Sequence, residues 1–228
     1  MKTEISRIPM GKSNSYLIKG KDGFILVDAG MPGKSKNVLK TLNNYNAKFD
    51  DIDLIIVTHV HNDHVGSLDD IKKNSNALVL VHEKEKNYLK RGYNKFPDGT
   101  MAFSKIISSL ANNLFFSKDQ FEPVEADIII DDGFDLSDYG VNGRIIHTPG
   151  HTEGSISIII ENKFCITGDT LFNMFLNSVY PPFANDEEEL LESWKKIRKQ
   201  NCKKYYPGHG RKFSLNKFDK TIKKHIKE

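Results

Sequence analysis

Three features predict a mixed α/β (α+β) fold. Short apolar runs of strand length alternate with stretches whose apolar residues recur at helical spacing. Metal-ligand residue types gather where those runs end, and glycine stands close by, letting the backbone turn sharply and approach a site closely. At 228 residues the chain can bury a substantial core, and with no low-complexity linker or internal repeat it reads as one domain, 1–228.

Taken in order, strands are predicted at Glu4–Ile8, Ser15–Lys19 and Phe24–Asp28, then a helix at about Lys34–Tyr45 with Val38, Leu42 and Tyr45 on one face. Asp53–Thr58 reads as a buried strand, a helix begins near Ser67 with Leu68 and Ile71 apolar, and Ala77–His82 is again a strand. A helical insertion at about 83–125 then breaks the pattern. Glu83–Tyr88 and Met101–Phe116 have helical character, the second with Phe103, Ile107, Leu110 and Leu114 on one face, and Gly92 and Pro97-Asp98-Gly99 punctuate the segment. Strands follow at Arg144–Thr148, Ser155–Glu161, Lys163–Thr167 and Lys203–Tyr206. Before the last of these, Asn185–Arg198 opens with acids and closes with bases, as the helix dipole favours. Its Leu190, Trp194 and Ile197 face one way, so Trp194 is expected in the core. Leu215, Phe218, Ile222 and Ile226 mark a last amphipathic helix over a sheet.

The chemistry concentrates in Thr58-His59-Val60-His61-Asn62-Asp63-His64, where four of the six residues from His59 on are ligand types. The chain has only 8 histidines, so three within six positions predict a metal centre. Imidazole nitrogen and carboxylate oxygen suit zinc, iron or manganese, and a tight turn lets neighbouring ligands diverge onto two ions. Matching pieces lie in Thr148-Pro149-Gly150-His151-Thr152-Glu153-Gly154-Ser155, Ile166-Thr167-Gly168-Asp169-Thr170-Leu171-Phe172 and Tyr206-Pro207-Gly208-His209-Gly210, each expected in a strand-end loop.

Together with Leu26-Val27-Asp28-Ala29-Gly30, these five motifs, in this order and spanning nearly the whole chain, resemble the metallo-β-lactamase superfamily. The resemblance implies a four-layer αββα sandwich of two mixed β-sheets flanked by helices. It implies His59, His61 and His151 on one metal, Asp63, His64 and His209 on a second, Asp169 bridging the two, and Asp28 orienting ligands from behind. Two divalent ions, with Zn2+ the first choice and Fe or Mn the alternatives, would activate a hydroxide for hydrolysis. Asp63 could serve as general base, but a carboxylate held by a metal is a poor base, so ligation is the preferred role. In this superfamily such insertions commonly border the substrate pocket. Tyr88, Tyr93, Phe96, Phe103 or Phe115 is therefore expected to contact substrate or, in a homodimer, a second subunit. The aromatic-rich 173–183 loop follows Asp169 directly, making Tyr180 the candidate non-ligand catalytic or substrate contact.

Substrate class is narrowed by departures from subtypes. Zinc β-lactamases of the common type carry cysteine among the second-metal ligands, where this chain has Asp169 and the Asp63-His64 pair. Thr167–Phe172 resembles glyoxalase II, yet the basic, tyrosine-containing glutathione-contact stretch is not recognisable in 173–183. A small ester, thioester or lactone is the expected substrate; the alternatives are phosphodiester hydrolysis and a mononuclear-iron persulfide dioxygenase. The charge of +3 makes no general case for nucleic acid, and the basic C-terminal part reads as a solvated helix face. The partner expected is a small molecule, with no membrane. Cys165 and Cys202 form no close-spaced motif and read as free thiols, and no stretch reads as a signal peptide or membrane span, so a cytoplasmic location is expected. His82, His147 and His225 are expected outside the site.

Overall fold

The computed structural model describes residues 3–114, 120–176 and 178–226. The chain builds two sheets of six strands. The first runs β1 (Glu4–Pro9), β2 (Asn14–Lys19), β3 (Phe24–Val27), β4 (Ile52–Ile56), β5 (Leu78–His82) and β6 (Ile128–Ile130), in that spatial order. β1 to β3 pair antiparallel, and β3 to β6 pair parallel. The second holds β7 (Gly133–Asp135), β8 (Gly143–His147), β9 (Ile156–Ile160), β10 (Phe164–Asn173), β11 (Lys204–Gly210) and β12 (Phe213–Ser214), also in sequence order. There only the β10–β11 pairing is parallel.

Both sheets are mixed, and three apolar layers hold them. Tyr16, Ile18, Ile25, Val27, Leu54, Ile56 and Leu80 of the first sheet meet Ile145, Ile156, Ile158, Ile160, Ile166 and Tyr206 of the second. The opposite face of the first sheet, with Leu17, Leu26, Ile55 and Val79, takes Val38 and Leu42 of α1 (Ser35–Asn43) and, across α2 (Asn62–Val65), Leu68 and Ile71 of α3 (Leu68–Lys73). On the outer face of the second sheet, Ile159, Cys165 and Tyr205 receive Leu190, Trp194 and Ile197 of the Glu187–Lys199 helix and Phe218 of the Leu215–His225 helix. Strands buried on both faces have nothing to gain from alternation, which is why Phe24–Val27 and Ile156–Ile160 are continuously apolar or nearly so. The result is the αββα sandwich. Trp194 lies in its core as expected, donating Nε1–H to the Thr170 carbonyl at 2.8 Å.

Between β5 and β6 come α4 (Lys86–Arg91) and α5 (Ala102–Leu114); the helices after β10 and β12 are α6 and α7. Asp186 caps α6, accepting the Glu189 N–H at 2.9 Å, so the acidic run serves the helix start. The structure departs from expectation at three strands. Ile128–Ile130, Gly133–Asp135 and Phe213–Ser214 pair although each is too short for periodicity to register; they exist because a longer neighbour offers an edge. β10 and β11 also outrun their predicted ends. β10 continues past Gly168, where φ is +48°, with register shifts on either side, and its partner β11 runs on to Gly210. Asp169 and His209 therefore project from irregular strand rather than from loops.

Candidate metal centre

Four chain segments supply the site, all at one end of the sandwich. β4 ends at Ile56 and delivers His59; His61 is the residue before α2, and that single turn carries Asp63 and His64. His151 lies between β8 and β9, Asp169 on β10 and His209 on β11. The structure brings all seven together. Donor atoms of His59, His61 and His151 lie within 4.8 Å of one another, as do those of His59, His64 and Asp169, and those of Asp63, His64 and His209.

Asp169 stands between the groups. Its Oδ2 is 3.8 Å from His59 Nε2, 3.6 Å from His151 Nε2 and 3.2 Å from His209 Nε2, while Oδ1 is 3.3 Å from His64 Nε2. Asp63 Oδ2 lies 3.3 Å from His209 Nε2, and His61 Nδ1 lies 3.1 Å from His151 Nε2. Gly208 makes this crowding feasible, because a Cβ there would run into the Asp169 carboxylate.

The hydrogen bonds behind the rings decide which nitrogen points inward. His64 Nδ1 meets Asp28 Oδ2 at 2.8 Å, and His151 Nδ1 meets the Phe183 carbonyl at 3.0 Å. A carboxylate and a carbonyl can only accept, so each Nδ1 carries a proton and Nε2 is the nitrogen that faces the cluster. Thr58 extends the logic to His59: its hydroxyl donates to Asp28 Oδ2 at 2.8 Å and accepts from His59 Nδ1 at 3.0 Å. Asp28, at φ 60° in the left-handed region, thus orients two histidines, as expected of it.

The inward-facing atoms fit a cation. His59 Nε2 and Asp169 Oδ1 are buried without a hydrogen-bond partner among the described residues, a condition native proteins rarely tolerate unless something else fills the gap. Burial drives the pKa of His59 well below the usual histidine range and lowers those of His61, to about 3, and His151. Burial also opposes charge on His64 and His209, but Asp169 outweighs it, helped by Asp28 and Asp63 at His64 and by Asp63 at His209. His64 rises well above its ordinary value and His209 to about 9. Burial would raise the Asp169 pKa, yet His209 and His64 hold it well below the carboxylate range. The site thus combines three imidazoles held neutral with two that carboxylates draw toward positive charge, a donor set that suits divalent ions.

Tyr180 is not brought to this cluster. Its hydroxyl donates to the Glu187 carboxylate, its ring stacks on His225 at 4.3 Å, and it packs with Trp194 in the outer layer. His82 and His147 stack on each other at 4.1 Å and donate to backbone carbonyls, also away from the cluster. Of the aromatics expected beside the pocket, Phe96 packs edge-on against Phe183, whose carbonyl orients His151. Tyr88 packs against the first sheet's helical layer, Arg91 lies over both Tyr88 and Tyr93, and Phe103 contacts Phe175. Phe115 lies outside the described residues.

Sequence reasoning missed the residues that hold the loops. Ser13 Oγ donates to the Asp63 carbonyl, and Asn14 Nδ2 donates to the Pro207 and Gly210 carbonyls at 3.0 and 2.9 Å. Tyr16 donates its hydroxyl to the Pro207 carbonyl at 2.6 Å. The polar run Ser13-Asn14-Ser15, fully buried at the head of an apolar strand, was the available signal.

A family model described as the Metallo-beta-lactamase superfamily matches residues 8–209. A "Probable metallo-hydrolase" of Methanocaldococcus jannaschii is 36% identical over 202 residues, covering 87% of this chain and 87% of its own. Among solved structures, an archaeal metallo-beta-lactamase superfamily protein from Sulfolobus tokodaii aligns with TM-score 0.71 at 24% identity, over 100% of this chain and 88% of its own. A metallo-beta-lactamase family protein from Thermus thermophilus aligns with TM-score 0.73 at 20% identity, over 98% and 79%. These two likenesses show the fold.

Proposed function

The chain belongs to the metallo-beta-lactamase superfamily, and from that premise we propose that it is a hydrolase with a binuclear centre, acting on a small ester, thioester or lactone. One observation carries the reading: seven ligand-type side chains, scattered from His59 to His209, converge in three overlapping groups joined through His59 and His64. In this reading His59, His61 and His151 would hold one divalent ion, Asp63, His64 and His209 would hold a second, and Asp169 lies near donors of both groups. Zinc is the first choice, because imidazole and carboxylate donors suit it. Such ions, when bound, bring the pKa of water toward neutrality and polarise the oxygen of the bond under attack.

The protein's own part is to fix the donors. Asp28 and Phe183 hold the inward nitrogens of His64 and His151 in place, and Thr58 passes the same constraint to His59. Asp63, facing His64 and His209, has its carboxyl held below the carboxylate range although burial would raise it, which suits a ligand better than a general base. The glyoxalase II-like stretch Thr167–Phe172 favours a thioester within the proposed class. The segment 83–125 would act as an insertion bordering the pocket, since Phe96 packs on Phe183 and Thr100 donates to the Pro182 carbonyl. No helix among the described residues is long and apolar enough to cross a membrane, and two buried free thiols suit a reducing compartment such as the cytoplasm.

The test is metal quantification per chain combined with a panel of thioester, lactone and phosphodiester substrates. Two ions per chain with carbonyl-ester turnover support the proposal. Phosphodiester turnover alone moves the substrate class, and oxygen uptake with a persulfide at one iron per chain would overturn it.

A further inference from the structure

One buried carboxylate has no part in the chemistry above. Glu85 is 1% exposed, sits three residues past the end of β5, and is held there by its own N–H, which donates to the His82 carbonyl at 2.9 Å. Its two oxygens face two different segments. Oε2 accepts the Val60 N–H at 2.8 Å, and Oε1 accepts the Gly154 N–H at 3.2 Å. Val60 lies between His59 and His61, while Gly154 follows His151 by three positions. The first segment leaves β4 of one sheet, and the second joins β8 to β9 of the other.

The fit is close. A Cβ on Gly154 would collide with Glu85 Cγ, so the second segment reaches the carboxylate only because that position is glycine. A carboxylate accepting two or more N–H groups forms charge-assisted bonds, which hold their geometry better than neutral ones. Glu85 thus spans the two loops that carry three of the seven proposed ligands, and those loops belong to different sheets.

We propose that Glu85 is the positioning residue for the His59–His61–His151 group: by fixing the separation of the two loops it sets how tightly that group retains its ion, without touching the ion itself. The inference rests on the metal-binding reading above. Its counterpart on the other side of the centre is Asn14, which ties Pro207 and Gly210 around His209 and does not reach the trio.

The experiment loads the full chain with zinc, challenges it with a chelator, and reads zinc retained per chain and the melting temperature of the metal-free protein. Wild type, Glu85→Gln and Glu85→Ala are compared, alone and in a His209→Ala background that leaves the trio as the main holder. Glu85→Ala should weaken retention of one ion by about 10–100-fold and leave the other as in wild type. Glu85→Gln keeps the bulk and one acceptor oxygen, so it should fold and show a smaller loss of the same ion. In the His209→Ala background either change should strip the remaining ion. A residue that merely stabilised the fold would lower the metal-free melting temperature while both ions stayed; that result overturns the inference. If Glu85→Ala does not fold, Glu85→Gln decides: loss confined to one ion supports the inference, and retention equal to wild type overturns it. A wild-type chain that binds no zinc would overturn the reading of the site along with it.

Discussion

The two halves of the centre are built differently. His59, His61 and His151 are buried, and what stands behind them is drawn from both sheets: the Thr58 hydroxyl, the Phe183 carbonyl and the Glu85 carboxylate. Asp63 and His209 are the more accessible pair, with side chains 27% and 11% exposed, and their segments hang on Ser13, Asn14 and Tyr16 around the start of β2. His64 belongs with them by its donor atom but is fully buried against Asp28. The closed half consists of neutral imidazoles, whereas the open half holds the histidines that carboxylates pull toward protonation. A cation in the open half must therefore displace protons, while one in the closed half displaces none, so proton competition and access both make the open half the more labile.

The largest effect is expected where the halves meet. Asp169→Ala should abolish turnover on the substrate panel while the protein still folds, because this carboxylate faces donors of both groups. Retained hydrolysis would contradict the role of Asp169 in joining the halves. Chelator titration of the wild type should release metal in two steps, the Asp63–His64–His209 ion first; a single step would show that the halves act as one.

Proton competition gives a sign that can be checked. The pKa of His209 is raised in the folded protein, so its contribution to the stability of the metal-free chain is complete below the unfolded value near 6.5 and is lost as pH rises through about 9. For so buried a group the loss amounts to about 3 kcal/mol at most, seen as a falling melting temperature of metal-free protein between those pH values. Metal affinity of the open half should rise over the same interval, since the proton leaves. Asn14→Ala should weaken the open half's ion by about 10-fold and leave the closed half's retention unchanged, because the Gly210 carbonyl loses its donor and the Pro207 carbonyl keeps only that of Tyr16. The smallest effect belongs to Tyr180→Phe. Removing a hydroxyl bonded to Glu187 should cost about 1 kcal/mol in thermal unfolding and leave kcat/KM unaltered; a fall in kcat/KM would return Tyr180 to the site.

Much of the centre was legible in the sequence because metal ligation demands particular side chains. His59, His61, Asp63 and His64 fall within six positions, and His151, Asp169 and His209 each stand beside glycine, although Asp169 and His209 lie within irregular strand rather than in the expected loops. The sandwich was legible for the same kind of reason, since apolar strands such as Phe24–Val27 must be covered on both faces. What escaped was short or distant. Ile128–Ile130 is a strand only because β5 lies beside it, and Tyr180 is near Asp169 in sequence but packs on Trp194 and His225 in the fold.

The sequence by itself determined the donor chemistry, the fold class and the segments from which each ligand departs, because residue type and periodicity are local properties. Only the tertiary structure decided which nitrogen of each ring faces inward and what keeps it there. Those choices are made by hydrogen bonds between groups far apart along the chain: Asp28 to His64 across 36 positions turns a ring, and Glu85 to Gly154 across 69 and Asn14 to Pro207 across 193 tie the ligand-bearing segments, the last two forming only once the two sheets have closed on each other.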